Sequence, residues 1–271
     1  MMGLKKIGVV LLMVLMTLHA SAQFTYGTTG LLHMPNAEMQ KDATLVVGGN
    51  FLNKHNLPSD YWWGYDTFNY FVNITFFDRL EIAYVMTLVK GQKEIEYWPE
   101  VTWGKFVNQD RHFAARLQVV KEGEWWEHMP SVVIGVNDPT TGTGGDYSEM
   151  GVDGMGNGYF NRWYIAATKH FQMSHGEFGL HAAYLYNRRI DYPLNGVALG
   201  VNYRPNFHRN LNFIVEYDAK TVNVGAFYSV WADHFNFLVE LQEGKYLSAG
   251  LVYKVNQKGG NNWKAKILDC Q

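Results

Sequence analysis

The chain has little of what usually holds a protein of this size together. Its 271 residues include a single cysteine, Cys270, so an intrachain disulfide is excluded. Beyond the N-terminus, no stretch approaches the roughly 18 consecutive apolar residues that indicate a transmembrane helix. Charged residues make up 18%, below the ~25% of soluble domains, and the net charge is only −2. These scarcities disfavour a disulfide scaffold, a helical membrane protein and a nucleic-acid partner.

The N-terminus has the three parts of a cleavable signal peptide. Lys5 and Lys6 form a basic start, and residues 7–18 form an apolar run that is too short to span a bilayer comfortably. Ala20-Ser21-Ala22 then fits the small-residue cleavage rule. We therefore predict a signal peptide at residues 1–22, which implies that the mature chain is exported.

The mature chain carries a period-two alternation that recurs along its length. In one clear segment the apolar residues Leu211, Phe213, Val215 and Tyr217 alternate with Asn212, Ile214, Glu216 and Asp218. Residues 222–230 and 235–242 repeat the pattern. Because successive strand side chains point to opposite faces, each segment is a strand with one apolar face and one mixed or polar face.

Alternating segments of roughly 10 residues joined by turns are typical of a transmembrane β-barrel. The candidate strands lie at 43–53, 66–76, 79–89, 110–120, 129–138, 160–171, 177–187, 196–204, 210–219, 221–230, 234–242 and 245–254. We therefore predict an all-β fold, a transmembrane antiparallel β-barrel of about 12 strands (range about 10–14), after the cleaved signal peptide. The predicted divisions are an extended segment at 23–42, the barrel at 43–254, and a tail or closing strand at 255–271.

Two alternatives accompany this fold prediction. Residues 93–104 have enough apolar residues to add a strand, although Pro99 favours an edge or a loop. A soluble β-sandwich or lipocalin-like barrel also alternates, but it buries its apolar face. The alternation alone does not tell which way that face points.

No local motif indicates chemistry. The ten histidines lack the close spacing of zinc ligands, and no serine lies in a G-x-S-x-G sequence. We therefore predict no catalytic, cofactor-binding or metal-binding residues, and no cofactor. The competing interpretation is an outer-membrane lipid- or glycan-modifying hydrolase, for which His181 and Ser229 are the inward pair to consider.

The polar face of the predicted strands is the more informative surface. It combines amides with charges of both signs, which can hydrogen-bond the hydroxyls of a sugar polymer while carrying little net field. The predicted lumen-facing residues are Asn69, Asn73, Glu81, Arg116, Arg162, His181, Asn202, Asn212, Glu216, Asn223, Asn236 and Glu240. An equally consistent interpretation is a purely structural barrel whose lumen is filled by its own polar network.

Residues 23–42 precede the first strand and need a place for their apolar side chains. We predict that Leu31, Leu32, Met34 and Pro35 fold back into the lumen as a plug. A periplasmic tether is the alternative, and the sequence does not separate the two.

An ordered series of motifs resembles the YjbH-like family of outer-membrane barrel proteins. The first, at residues 27–39, reads GTTGLLHMPNAEM. The others follow in order as residues 110–120 with EG (122–123), PSVVIGVND (130–138), TGTG (141–144), IAATK (165–169), GEFGL (176–180), GVALGVNY (196–203) and EYD (216–218).

This resemblance implies a location in the outer membrane of a Gram-negative bacterium and a non-enzymatic role in exopolysaccharide secretion or assembly, with a channel as one form of that role. The implied partners are outer-membrane lipid, polysaccharide and periplasmic export proteins, with no nucleic acid.

Overall fold

The computed structural model describes residues 23, 25–57, 63–93, 95–139, 159–187 and 194–257. The predicted signal peptide and residues 258–271 lie outside this part of the chain. The strands are β1 (Thr44–Leu52), β2 (Thr67–Phe76), β3 (Leu80–Lys90), β4 (Phe106–Val120), β5 (Ser131–Asn137), β6 (Arg162–Met173), β7 (Gly176–Tyr186), β8 (Gly196–Pro205), β9 (Leu211–Tyr217), β10 (Val222–Val230), β11 (Phe235–Gln242) and β12 (Tyr246–Asn256).

The twelve strands form one closed antiparallel barrel. Each strand pairs with its sequence neighbours, and β1 closes the ring on β12 with Thr44 opposite Asn256. The predicted all-β barrel of about twelve strands is therefore confirmed. No helix in the described residues is long and apolar enough to cross a membrane.

The strand bounds differ from the predicted ones mainly at β4. This strand begins at Phe106 rather than at residue 110, and its first residues pair with the end of β3 across a register shift. Between β3 and β4 the described residues form a short 3-10 helix, Glu100–Thr102, directly after Pro99, rather than a further strand. Proline lacks the N–H that a strand ladder would need, which explains why the local alternation is overridden here.

The barrel has two different ends. Both the start of β1 and the end of β12 lie at one end, with the connections 77–79, 121–130, 174–175, 206–210 and 231–234; we call it the terminal mouth. The other end, the loop mouth, carries the connections 53–66, 91–105, 138–161, 187–195, 218–221 and 243–245. Most of the longer connections therefore join strand ends at the loop mouth.

Burial alternates along the strands with the period of the sequence pattern. In β9, Asn212, Ile214 and Glu216 are buried, whereas Phe213 and Val215 are about half exposed, at 47% and 51%. Polar side chains therefore face the interior, and apolar ones cover the outside of the barrel.

Candidate functional site

The interior of the barrel is occupied by the chain's own N-terminal part. Residues 23 and 25–40, here called the inner segment, are almost all buried, including the four residues predicted to form a plug. At its centre Gly30 and Pro35 form an antiparallel bridge, and the Leu31 N–H donates to the Met34 carbonyl at 3.0 Å. This tight turn presents a row of backbone N–H groups to the barrel wall.

Glu216 of β9 receives those N–H groups. Its carboxylate accepts from Leu32 N at 3.0 Å, from His33 N at 2.7 Å and from Met34 N at 3.3 Å. Asn223 of β10 donates to the same carboxylate at 3.4 Å. A carboxylate is an acceptor with several lone pairs, so one wall residue satisfies three consecutive buried donors that would otherwise be costly.

His33 binds a second wall carboxylate. Its Nε2 lies 2.7 Å from Oε1 of Glu240 in β11, whose other oxygen accepts from Asn56 at 3.2 Å. Burial lowers the pKa of His33, but the charges of Glu240, Glu216 and Asp218 and the hydrogen bond to Glu240 outweigh it and raise the pKa to about 9. The imidazole is therefore charged at neutral pH and pairs with the acidic side of the wall.

Two arginines hold the inner segment from the β4–β6 side of the ring. Arg116 donates to the carbonyl groups of Thr29, of Asn36 at 2.8 Å and of Glu38 at 2.6 Å. It also lies 3.9 Å from Glu81 of β3, which accepts from Thr29 N at 2.6 Å.

Arg162 of β6 binds the same segment one step further along. It donates to the His33 carbonyl at 2.9 Å and to Gln23 Oε1 at 2.8 Å, and it stacks on the ring of Tyr26 at 3.6 Å. Because Glu216 and Glu240 stand on β9 and β11, the inner segment bridges a basic side and an acidic side of the lumen.

Amides of β2 and two wall glycines complete the fit. Asn69 donates to the Thr25 carbonyl at 3.2 Å, and Asn73 to that of Gly27 at 3.0 Å. A Cβ on Gly200 would lie 2.3 Å from Leu31 Cδ1, and one on Gly225 would lie 2.7 Å from Leu32 Cδ2. The two glycines therefore make room for the leucines of the turn.

Three further predicted wall residues, His181, Asn202 and Asn212, form a chain along the wall. His181 contacts Thr168 Oγ1 at 2.9 Å and Asn202 Oδ1 at 2.8 Å, and Asn202 donates to Asn212 at 2.8 Å. Thr168 in turn accepts from the Ala37 N–H at 2.8 Å.

Ser229 belongs to another group, at the terminal mouth. Its hydroxyl oxygen lies 3.1 Å from Asp233 Oδ1 and 2.5 Å from Asn236 Oδ1, so its single proton is directed at one of these two acceptors. Among the described residues no hydrogen bond joins His181 to Ser229, so the inward pair considered for hydrolysis is not assembled. Nor does any group of three or more His, Cys, Asp or Glu side chains in that part of the chain have the placement of a metal site.

A cavity of about 600 Å³ opens at the terminal mouth, below the inner segment. We call it the vestibule. It is lined by 37–41 of the chain's N-terminal part, by the ends of several strands and by the connections of the terminal mouth. Its ionisable side chains are Glu38, Lys41, Asp78, Lys121, Glu122, His170, Glu177, Arg204, Arg209, Asp233, His234 and Lys254.

Glu38 links the inner segment to the vestibule. Its Oε1 accepts from Arg204 Nη2 at 3.1 Å and lies 2.9 Å from His170 Nε2. Burial opposes ionisation of Glu38, but the charge of Arg204 and the hydrogen bond and charge of His170 hold its pKa well below the usual value. His170 Nδ1 lies 2.7 Å from Glu122 and Arg204 Nη1 donates to Glu177 at 2.9 Å, so the cluster extends to the rim.

Sequence reasoning did not single out this cluster. Glu38 lies within the 27–39 motif, but nothing local marks His170 or Arg204, which are 132 and 166 residues away from it. Their contact depends on the register of the closed barrel.

Comparison with curated proteins finds no match. The family model YjbH, described as exopolysaccharide biosynthesis protein YbjH, matches residues 22–267. That range includes the inner segment and all twelve strands. The chain therefore belongs to the YjbH family of exopolysaccharide biosynthesis proteins.

Proposed function

We propose that the protein is an outer-membrane β-barrel that passes exopolysaccharide through its lumen, and that the inner segment closes this lumen in the resting state. The family match supports a role in exopolysaccharide handling. The closed barrel supports a route through the molecule, because it surrounds an interior lined with polar groups.

The outward surface supports the membrane part of the proposal. Every one of the twelve strands carries exposed large apolar side chains, such as Phe113 on β4, Leu180 on β7 and Val239 on β11. A contiguous apolar belt of this kind is disfavoured in water and favoured in hydrocarbon. Barrels of this class have short periplasmic turns, so we propose that the terminal mouth faces the periplasm.

The lumen supports a polymer of sugars as cargo. Once the inner segment is removed, the side-chain amides of Asn69 and Asn73 no longer donate to the carbonyl groups of Thr25 and Gly27, and Arg116 and Glu216 stand on opposite sides of the wall. Amides and mixed charges offer both donors and acceptors to hydroxyl groups. We propose no enzymatic activity, since passage requires only such reversible hydrogen bonds.

One observation carries the proposal: the inner segment is bound by β2, β3, β4, β6, β9 and β11, nearly all around the ring. A segment held in this way fills the lumen, and because it contributes no strand to the ring it can leave without breaking the barrel. The polymer would then enter from the vestibule.

The test is conductance in planar lipid bilayers. The mature protein is expected to be closed for most of the time, and a variant lacking 24–40 is expected to give large, steady conductance because no strand is removed. An insertion of equal size into the 243–245 turn of the loop mouth is the control. Unchanged conductance in the deletion variant would contradict the proposal.

Export in cells separates the remaining possibilities. A knockout strain should lose surface polymer, and complementation with the wild-type gene should restore it. If the barrel is purely structural, the amount of surface polymer should not depend on the gene. Loss of a hydrolytic activity in His181→Ala or Ser229→Ala variants, with export unchanged, would favour the hydrolase instead.

A further inference from the structure

The vestibule contains a cationic site that the chain's own Glu38 occupies. Arg204 and Glu38 are both almost fully buried, with side-chain exposures of 6% and 7%, yet they line the cavity. His170 presents one ring nitrogen to Glu38 and the other to Glu122. Because carboxylates only accept, this geometry requires both nitrogens to donate, and the ring is an imidazolium.

The contact between Glu38 and Arg204 is incomplete. Glu38 uses only Nη2 of the guanidinium, and Arg204 Nε has no acceptor among the described residues. A carboxylate that approached this edge directly would engage Nε and Nη2 together, which is the bidentate geometry that makes such pairs strong. Glu38 does not make this contact: its backbone is held by Arg116 and by Asn36, and its Oε2 accepts from Asn36 at 3.1 Å.

The charge balance of the vestibule points the same way. Its lining has five carboxylates, those of Glu38, Asp78, Glu122, Glu177 and Asp233, against five Lys and Arg side chains and the charged His170. If Glu38 leaves with the inner segment, these six cationic groups face four carboxylates rather than five. The volume of about 600 Å³ lies within the range of roughly 300–1,000 Å³ that is typical of ligand pockets.

We propose that the vestibule binds a polysaccharide that carries sugar carboxylates, and that one such carboxylate replaces Glu38 on Arg204 and His170. In the absence of the polysaccharide, the Glu38 carboxylate therefore occupies the site of the ligand carboxylate. Its release removes the contact between the inner segment and β6 and β8 at the terminal mouth, which loosens the segment. This inference rests on the proposed function, and it names the class of polymer.

Binding is measured by isothermal titration calorimetry on the mature protein in detergent micelles. The probe is tetragalacturonate, and its fully methyl-esterified form is the matched ligand without charge. We expect the acid to bind at least about tenfold more tightly than the ester, since one charge-assisted hydrogen bond is equivalent to roughly that factor.

Two variants are expected to act in opposite directions. Arg204→Gln should weaken binding of the acid by about tenfold or more, because the bidentate partner is lost. Glu38→Gln should tighten it, because the competing internal carboxylate is gone and the binding-competent state is more populated. Lys245→Gln, which makes the same charge change as Arg204→Gln but at the exposed 243–245 turn, should leave affinity unchanged.

Equal affinity for acid and ester, or weaker binding by Glu38→Gln, would overturn the proposal. If Arg204→Gln fails to fold, the direction of the Glu38→Gln effect still decides. The conductance of the 24–40 deletion is independent of this titration. If the deletion variant conducts but the mature protein shows no preference for the acid, only the ligand class is refuted. If the deletion variant does not conduct but the mature protein shows the expected binding pattern, only passage through the lumen is refuted.

Discussion

At the scale of single residues, charged side chains of the barrel wall form hydrogen bonds with backbone groups of the inner segment. Glu216 accepts from three successive N–H groups, and Arg116 donates to three carbonyl groups. Peptide groups buried without such partners would each cost about 1–3 kcal/mol. The wall residues therefore act as the hydrogen-bonding environment that water provides outside.

His33 makes the docking of the inner segment dependent on pH. Its pKa is raised to about 9 in the folded state, against about 6.5 in an undocked segment, so its contribution is fully present below pH 6.5 and is lost as the pH rises through 9. The difference corresponds to about 3 kcal/mol. The carboxylates that face it are those of Glu240, Glu216 and Asp218, and the Arg162 guanidinium binds its backbone carbonyl.

The measurement is open probability in planar bilayers between pH 6 and pH 10. Wild-type protein should open more often as the pH passes 9, whereas His33→Gln should be open more often at pH 6 and change little up to pH 10. A steep rise in both proteins would mean that another group is responsible.

At the scale of elements, closure of the sheet decides how each strand tolerates change. β1 pairs with β2 on one side and with β12 on the other, so neither edge of it is free. The N–H groups of consecutive residues point to opposite neighbours in an antiparallel sheet. Both neighbours of β1 therefore need its donors.

Proline scanning of β1 tests this arrangement. Val46→Pro and Val47→Pro should each destabilise the barrel by about 3 kcal/mol or more, because each removes a ladder hydrogen bond, one toward β2 and one toward β12. Unfolding in urea from lipid vesicles measures the loss, with Val46→Ala and Val47→Ala as controls. If either proline is tolerated like its alanine control, β1 has a free edge and the barrel is open.

At the scale of the whole molecule, the barrel separates an apolar exterior from a polar interior. In a soluble β-barrel the same alternation would place the apolar face inside. Here the apolar residues of β9 face outward and the polar ones face the inner segment. The medium around the barrel therefore determines how much a charged side chain on its outer face lowers the free energy of unfolding.

A lysine on the outer face of β9 tests the membrane assignment. Val215→Lys should cost about 2–4 kcal/mol in a bilayer, since a charge near the midplane of the hydrocarbon is poorly solvated. Unfolding in urea from lipid vesicles is the measurement. Arg209→Lys, at an exposed position outside the strands, is the control. A cost within about 0.5 kcal/mol, which is usual for soluble surfaces, would argue against membrane insertion.

The sequence by itself predicted the strands, their approximate number and which residues share a face, because alternation is a local property of each segment. Pro99 likewise marked an apolar stretch that forms a short 3-10 helix rather than a strand. The tertiary structure alone decided which interior groups meet. Glu216 reaches Leu32, His33 and Met34 across more than 180 residues, and Glu38 reaches Arg204 across 166. Such contacts depend on the register and closure of all twelve strands together. A local sequence pattern does not specify these global properties.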